Sequence, residues 1–194
     1  MQKRRTFTVM AILIAVLILG VGYAAISSTS LNLNGTANVK ANADFTVEYD
    51  TSHTVVVSNT GTGSTFDDEG TTRTVVTGAY TSTSVATMTV WLDNTHREAS
   101  AIYKIDNKSS ELGASLAATV TNVDANGQNE AYFDPVVATY YSDAACTTAL
   151  TSGDIVDAGD TVYLKVTVKL AKSPLDDITG ATFTVVTTAT PEEA

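Results

Sequence analysis

From Ser30 onward the apolar side chains of this chain recur with period two rather than 3.6, and that period fixes most of what the chain can fold into. Leu31, Leu33, Ala37 and Val39 alternate with polar neighbours, with Gly35 in the remaining place, and Phe45, Val47 and Tyr49 repeat the pattern. Thr54 to Ser58 reads as a third strand, closed by the loop Asn59 to Ser64. Thr71 to Tyr80 reads as a weaker strand. Ser84 to Leu92 is a strong one, with Met88, Val90 and Leu92 on one face. Beyond the loop Asp93 to Glu98, Ala101, Tyr103 and Ile105 share a face of the segment ending at Asn107. Leu116, Ala118 and Val120 alternate within Ala114 to Thr121, and Pro135 to Tyr141 follows. Thr161 to Leu170 alternates strictly through Val162, Leu164, Val166, Val168 and Leu170, and Ala181 to Thr188, with Phe183 and Val185, closes the series. Asp124-Ala125-Asn126-Gly127 and Asp157-Ala158-Gly159-Asp160 carry turn residues, the second as a hairpin or a corner. Alternation leaves one face of each strand wet, as in antiparallel sheets and unlike a parallel α/β core. About ten short strands with such turns predict an all-β, antiparallel sandwich. Abundant Thr and Val, both β-branched, fit the same pleated surface.

The first turns of the chain obey a different rule. Lys3, Arg4 and Arg5 precede an apolar run from about Phe7 to Ile26, broken only by Thr8, Gly20 and Gly22. A basic patch, a long apolar stretch and then small residues is the layout of an export signal. Gly22-Tyr23-Ala24 offers cleavage after Ala24, and Ala25-Ile26-Ser27 offers a second cut just downstream. Uncut, the run is long enough for one hydrophobic helix to span a bilayer, its basic end cytoplasmic. The expected division is a signal peptide or membrane anchor over 1–27 and an extracellular sandwich over 28–194, at the cell surface or beyond it.

Charge narrows the partners. The chain carries 11 basic and 21 acidic residues, a balance of -10. Without Lys3, Arg4 and Arg5, eight basic residues face 21 acidic ones, a balance of -13. Such a domain repels nucleic acid and anionic lipid, so the membrane is met through the N-terminal segment alone. With Cys146 as the single cysteine, no internal disulfide can form, which for an exported domain fits a Gram-positive surface.

Nothing in the sequence assembles a catalytic centre, and no cofactor or metal site is expected. The histidines, His53 and His96, read as exposed loop residues without a nucleophile-elbow motif, and no HExxH is present. Phe66-Asp67-Asp68-Glu69-Gly70 and Asp124 to Glu130 gather oxygen ligands but lack EF-hand spacing, so they read as solvated acidic turns rather than Ca²⁺ loops. Cys146 has an Asp nearby and no Lys or Arg in its segment, which suits a passive thiol. Asn34-Gly35-Thr36 and Asn107-Lys108-Ser109 match the N-glycosylation pattern. Trp91 falls on the polar face of its strand, either covering that face or offering a sugar a stacking platform, with Tyr140 and Tyr141 as further ligand contacts.

The run ending Val21-Gly22-Tyr23-Ala24-Ala25, followed by Leu31-Asn32-Leu33-Asn34-Gly35-Thr36-Ala37-Asn38-Val39, resembles small exported proteins of Gram-positive bacteria. Ala101 to Asn107 is similar to a strand of their sandwich that ends in Asn, and Asp157 to Val168 to the turn and long strand near their C-terminus. The named group is the TasA/camelysin family. That resemblance implies a jelly-roll-like fold, release by a SipW-type peptidase and a structural role in biofilm-matrix fibres. Some members are labelled metalloproteases, but this chain has no zinc-ligand cluster to inherit that activity. Two functions stand side by side at this point. One is a structural surface protein that polymerises with itself or joins other envelope proteins, Leu31, Leu33, Ala37 and Val39 forming a strand added to a neighbour's sheet. The other is a membrane-tethered adhesion or glycan-binding module. Against strand addition stands the simpler reading that Ser28 to Val39 is the first strand of its own sandwich.

Overall fold

The strands in chain order are β1 (Leu31–Asn32), β2 (Val47–Tyr49), β3 (Val56–Asn59), β4 (Thr65–Asp68), β5 (Thr71–Thr74), β6 (Val76–Tyr80), β7 (Val85–Leu92), β8 (Glu98–Asn107), β9 (Leu112–Asn122), β10 (Val137–Tyr141), β11 (Ile155–Val156), β12 (Thr161–Lys169) and β13 (Thr179–Glu193). They come from a computed structural model that describes residues 31–32, 44–123, 132–151, 153–171 and 179–193. The chain divides into two units, Met1–Ser30 and Leu31–Ala194, and every described residue belongs to the second. The N-terminal apolar run, Leu33, Ala37, Val39 and the turn at Asp124 lie outside the described residues.

Every ladder is antiparallel, as the alternation requires. Sheet one runs β11-β9-β13-β7-β6, with β1 also on β13; sheet two runs β10-β12-β8-β2, with β3 sharing β8. From β7 to β13 every connection crosses from one sheet to the other. The inner faces share one core. Ala86, Met88, Val90, Leu92, Phe183 and Val185 come from sheet one, and Ala101, Tyr103, Ile105, Leu164, Val166 and Val168 from sheet two. All the inward residues read from β12, Val162 to Leu170, are at most 4% exposed.

Three polar devices hold this core in register. The Tyr49 hydroxyl lies 3.0 Å from Thr187 Oγ1, to which the Tyr140 hydroxyl also donates at 3.2 Å, tying the sheets together from within. Burial pushes Tyr49 up to about 12, so it stays a neutral donor. β2 and β3 leave Lys104 between them on the edge of β8, and the Tyr80 hydroxyl accepts the orphaned Lys104 N–H at 2.9 Å. Asn107, 1% exposed, donates from Nδ2 to the carbonyls of Leu112, Val156 and Asp157 at 3.0 to 3.1 Å. Its Oδ1 accepts the Ser109 N–H at 3.1 Å. The residue thereby clasps the β8–β9 turn to the β11–β12 connection.

The structure departs from the sequence reading in two places, residues 66–70 and the end of β13, and decides between two readings in a third. Residues 66–70 are not a loop: β4 and β5 form a hairpin, with Glu69 at φ 48° and Gly70 at φ 80°. Positive φ at both central residues is the geometry of a two-residue turn whose twist matches paired strands. β11, only two residues long, pairs Ser115 and Ala114 of β9, so Asp157 to Asp160 is a corner between sheets and not a hairpin. β13 continues through Pro191 to Glu193. Pro191 is tolerated because its position in the β9 ladder falls between hydrogen-bonded pairs.

Candidate functional site

The described part of the N-terminal strand lies on β13. β1 pairs Leu31 with Ala189 and Asn32 with Thr188, so Leu31 begins in the chain's own sheet. On its other side β13 runs in unbroken register with β9 from Phe183–Asn122 to Glu193–Leu112. The phase of that ladder is set by Val123, whose N–H donates to the Thr182 carbonyl at 2.8 Å. Even-numbered residues of β13 therefore bond to β9, and the backbone groups of Thr187, Ala189 and Pro191 point to the side of β1 and β7. β7 reaches only to Val186 on that side. Among the described residues, Leu31 with Ala189 is thus the hydrogen-bonded pair of β1, and Pro191 offers no N–H to that side.

Trp91, Tyr140 and Tyr141 do not share a surface. Trp91 lies on the outer face of sheet one, because Val90 and Leu92 on either side of it are fully buried. Tyr140 turns inward to Thr187, while Tyr141 takes the opposite face of β10. Nor is the indole a free platform. The Arg73 guanidinium lies over its ring, 4.2 Å from the centroid, and is held by Asp68 at 3.1 Å. Across the ladder stands Gly180, where a Cβ would come within 2.6 to 2.8 Å of three ring atoms. Gly180→Ala is therefore expected to push Trp91 out of its seat under Arg73 and to cost about 1–3 kcal/mol. Trp91 is the only tryptophan, so a red-shifted fluorescence maximum with a lowered melting temperature reports the change. An unmoved spectrum would mean that the indole does not rest on Gly180.

The remaining candidates are structural. His53 is exposed as expected, but His96 is buried, 4% exposed, which corrects its reading as a loop surface residue. Its Nδ1 lies 3.1 Å from Asp93 Oδ1 and its Nε2 3.2 Å from the Thr62 carbonyl, while the Phe66 ring of β4 stacks on it at 5.8 Å. Burial came from the hairpin, a partner distant in sequence. Asp93 and Asp143 accept neighbouring backbone N–H groups, Thr95 and His96 for the first, Thr147 and Thr148 for the second. Such turns explain an acid in a loop without a metal. No group of three metal-ligating side chains occurs among the described residues. Burial pushes the Cys146 thiol up, away from the reactive thiolate. Asn107, in its glycosylation pattern, is closed off by its own hydrogen bonds.

One cleft of about 520 Å³ opens between the sheets where β9 faces the approach to β10. Ala118 and Val120 line one wall, Phe133, Val136 and Ala138 the other, with Phe183 at the back. No protein-family model, no curated protein and no solved structure matches the chain.

Proposed function

We propose that this chain is an exported structural surface protein, a fibre or biofilm-matrix subunit that assembles by β-strand addition through the segment beginning at Leu31. The observation that carries the reading is the place of β1, beside the end of β13 that β7 does not reach. A second copy's strand beginning at Leu31 can take that place along the part of β13 beyond Val186, which β7 does not reach, and a head-to-tail contact of that kind propagates without closing. The seven strands from β7 to β13, crossing sheets at each step, support a jelly roll, with the Tyr141–Ala149 bridge in the place of an eighth strand. A jelly roll, the leader-like N-terminus and the motifs quoted above together favour a protein of the TasA/camelysin type, placed outside the cell with no catalytic role. Trp91, covered by Arg73, lends little to the glycan-binding alternative.

Cleavage after Ala24 or Ser27 frees the donor strand, and an uncut leader keeps it tethered. The test is negative-stain microscopy and size-exclusion chromatography of the extracellular protein, with its N-terminal residue determined. Filaments are expected, and Leu31→Lys with Leu33→Lys should abolish them at an unchanged melting temperature. A stable monomer at high concentration, or filaments unaffected by the two lysines, would overturn the reading.

A further inference from the structure

The outer face of sheet two carries a positive charge that no acid of the described residues answers. Burial of Val162, Leu164, Val166 and Val168 turns Tyr163, Lys165 and Thr167 of β12 outward, beside Val137, Thr139 and Tyr141 of β10. This face meets solvent: Val137 is 57% exposed on β10 and Val56 52% on β3, and Tyr141, Tyr163 and Lys165 are partly exposed. Arg73, Lys104 and Lys108 each hold an acid: Asp68, then Asp50 with Asp106, then Glu48. Lys169 stands opposite Glu98 on the ladder. Lys165 differs from all of these. Its ladder neighbours are Ile102 and Thr139, its neighbours along the face Tyr163 and Thr167, and no ion pair reaches it among the described residues. Burial pushes the nearby Cys146 thiol up, so the thiol stays neutral and leaves that charge intact.

The two tyrosines beside it are also unlike the rest. The hydroxyls of Tyr49, Tyr80, Tyr103 and Tyr140 are all bonded within the protein. Among the described residues those of Tyr141 and Tyr163 have no such bond, and neither ring contacts another. They stand opposite each other, Tyr141 on β10 and Tyr163 on β12. The Asn107 N–H donates to the Asp160 carbonyl and the Leu170 N–H to the Arg97 carbonyl, which sets even-numbered residues of β12 on β8. Tyr163 therefore bonds to Tyr141, their Cα atoms about 5.5 Å apart. Lys165 follows about 7 Å further along the strand.

We propose that Tyr141, Tyr163 and Lys165 form a binding site for an acidic sugar, a uronate residue of a polysaccharide, with its ring on the tyrosines and its carboxylate on Lys165. The occupant follows from charge and spacing. A tyrosine ring offers an apolar face and a polar tip, as a pyranose does, and a carboxylate meets an ammonium in a charge-assisted hydrogen bond. In a uronate the carboxylate lies one bond from the ring, which fits a lysine one outward position beyond the tyrosine pair. A chain with a balance of -10 repels polyanions at long range, so Lys165 alone would not hold one, and the rings select a sugar over a simple anion. Trp91 and Tyr140 take no part. The site lies on sheet two, so it does not depend on the strand addition proposed at β13.

The test is calorimetric titration of the extracellular protein with tetragalacturonate, a probe too short to bridge subunits. Maltotetraose supplies the rings without the charge, and linear tetraphosphate the charge without the rings. Both should bind about tenfold or more weakly than tetragalacturonate. Lys165→Gln and Tyr163→Thr should each weaken tetragalacturonate about tenfold or more at an unchanged melting temperature, and Lys169→Gln by about twofold or less. Should Tyr163→Thr lower the melting temperature, Tyr141→Thr removes the other ring in its place. Absence of tetragalacturonate binding overturns the proposal, as does equal binding of tetraphosphate, which would reduce the site to charge alone. Equal binding of maltotetraose, or an affinity unmoved by Lys165→Gln and the tyrosine variant, overturns it as well.

Discussion

Asn107→Asp is expected to destabilise the sandwich by about 3–5 kcal/mol, a large part of what a domain of this size has in total. The substitution changes no volume. It replaces a two-proton donor facing the carbonyls of Leu112, Val156 and Asp157 with an acceptor that carries charge at neutral pH. No cation is among the polar partners of the amide, and at 1% exposure water offers little relief. The substituted carboxyl should therefore have a folded pKa above its unfolded value of about 3.9. A group raised in this way costs least below the unfolded pKa and progressively more as pH rises through the folded one. Thermal melts of the variant should approach the parent near pH 4 and diverge toward pH 7. Asn107→Ala should lose stability by a similar amount at both pH values, because it removes hydrogen bonds without adding a titrating group. A pH-independent deficit for Asn107→Asp would mean that the side chain is not enclosed by carbonyls.

What could be read from the sequence and what could not divide along one physical line. Val162 to Leu170, Met88 to Leu92 and Ala101 to Ile105 were legible because side-chain period is local and each element buries one whole face. Thr187 broke that pattern: it is buried among apolar neighbours because two tyrosine hydroxyls from sheet two meet it there. β4 and β5 were hidden because Glu69-Gly70 does the work more commonly signalled by Asn-Gly or Asp-Gly, and because acidic residues on an outlying hairpin look like a loop. The burial of His96 depended on that missed hairpin. For the candidate site, the sequence supplied Leu31 and the alternation after it. It could not supply the partner strand, since edges are properties of the assembled sheet and not of any one strand. Asn107 carried only a weak signal, a polar residue ending a strand just before a turn.

The register of β12 sets the second large effect. Val166 is fully buried, between Ala101 of β8 and Ala138 of β10, while Lys165, its neighbour in sequence, faces outward between Ile102 and Thr139. Val166→Asp would place an unpaired charge amid Leu164, Val168 and the inner face of sheet one, at a cost of several kcal/mol, comparable to the whole stability of the domain. Lys165→Asp reverses a charge at the surface and should change stability by about 0.5 kcal/mol or less. Because Val166→Asp is expected to leave little folded protein, a gentler pair keeps the question measurable. Val166→Thr preserves shape and buries a hydroxyl, and should cost about 1–3 kcal/mol. Thr167→Val makes the reverse exchange one residue along, on the outer face, and should stay within about 0.5 kcal/mol of the parent. Denaturant midpoints measured with the same slope decide the matter. A strand slipped by one residue would exchange the two faces and with them the two outcomes, so a larger loss at Lys165 or Thr167 than at Val166 would move every side chain of β12 to the opposite side of its sheet.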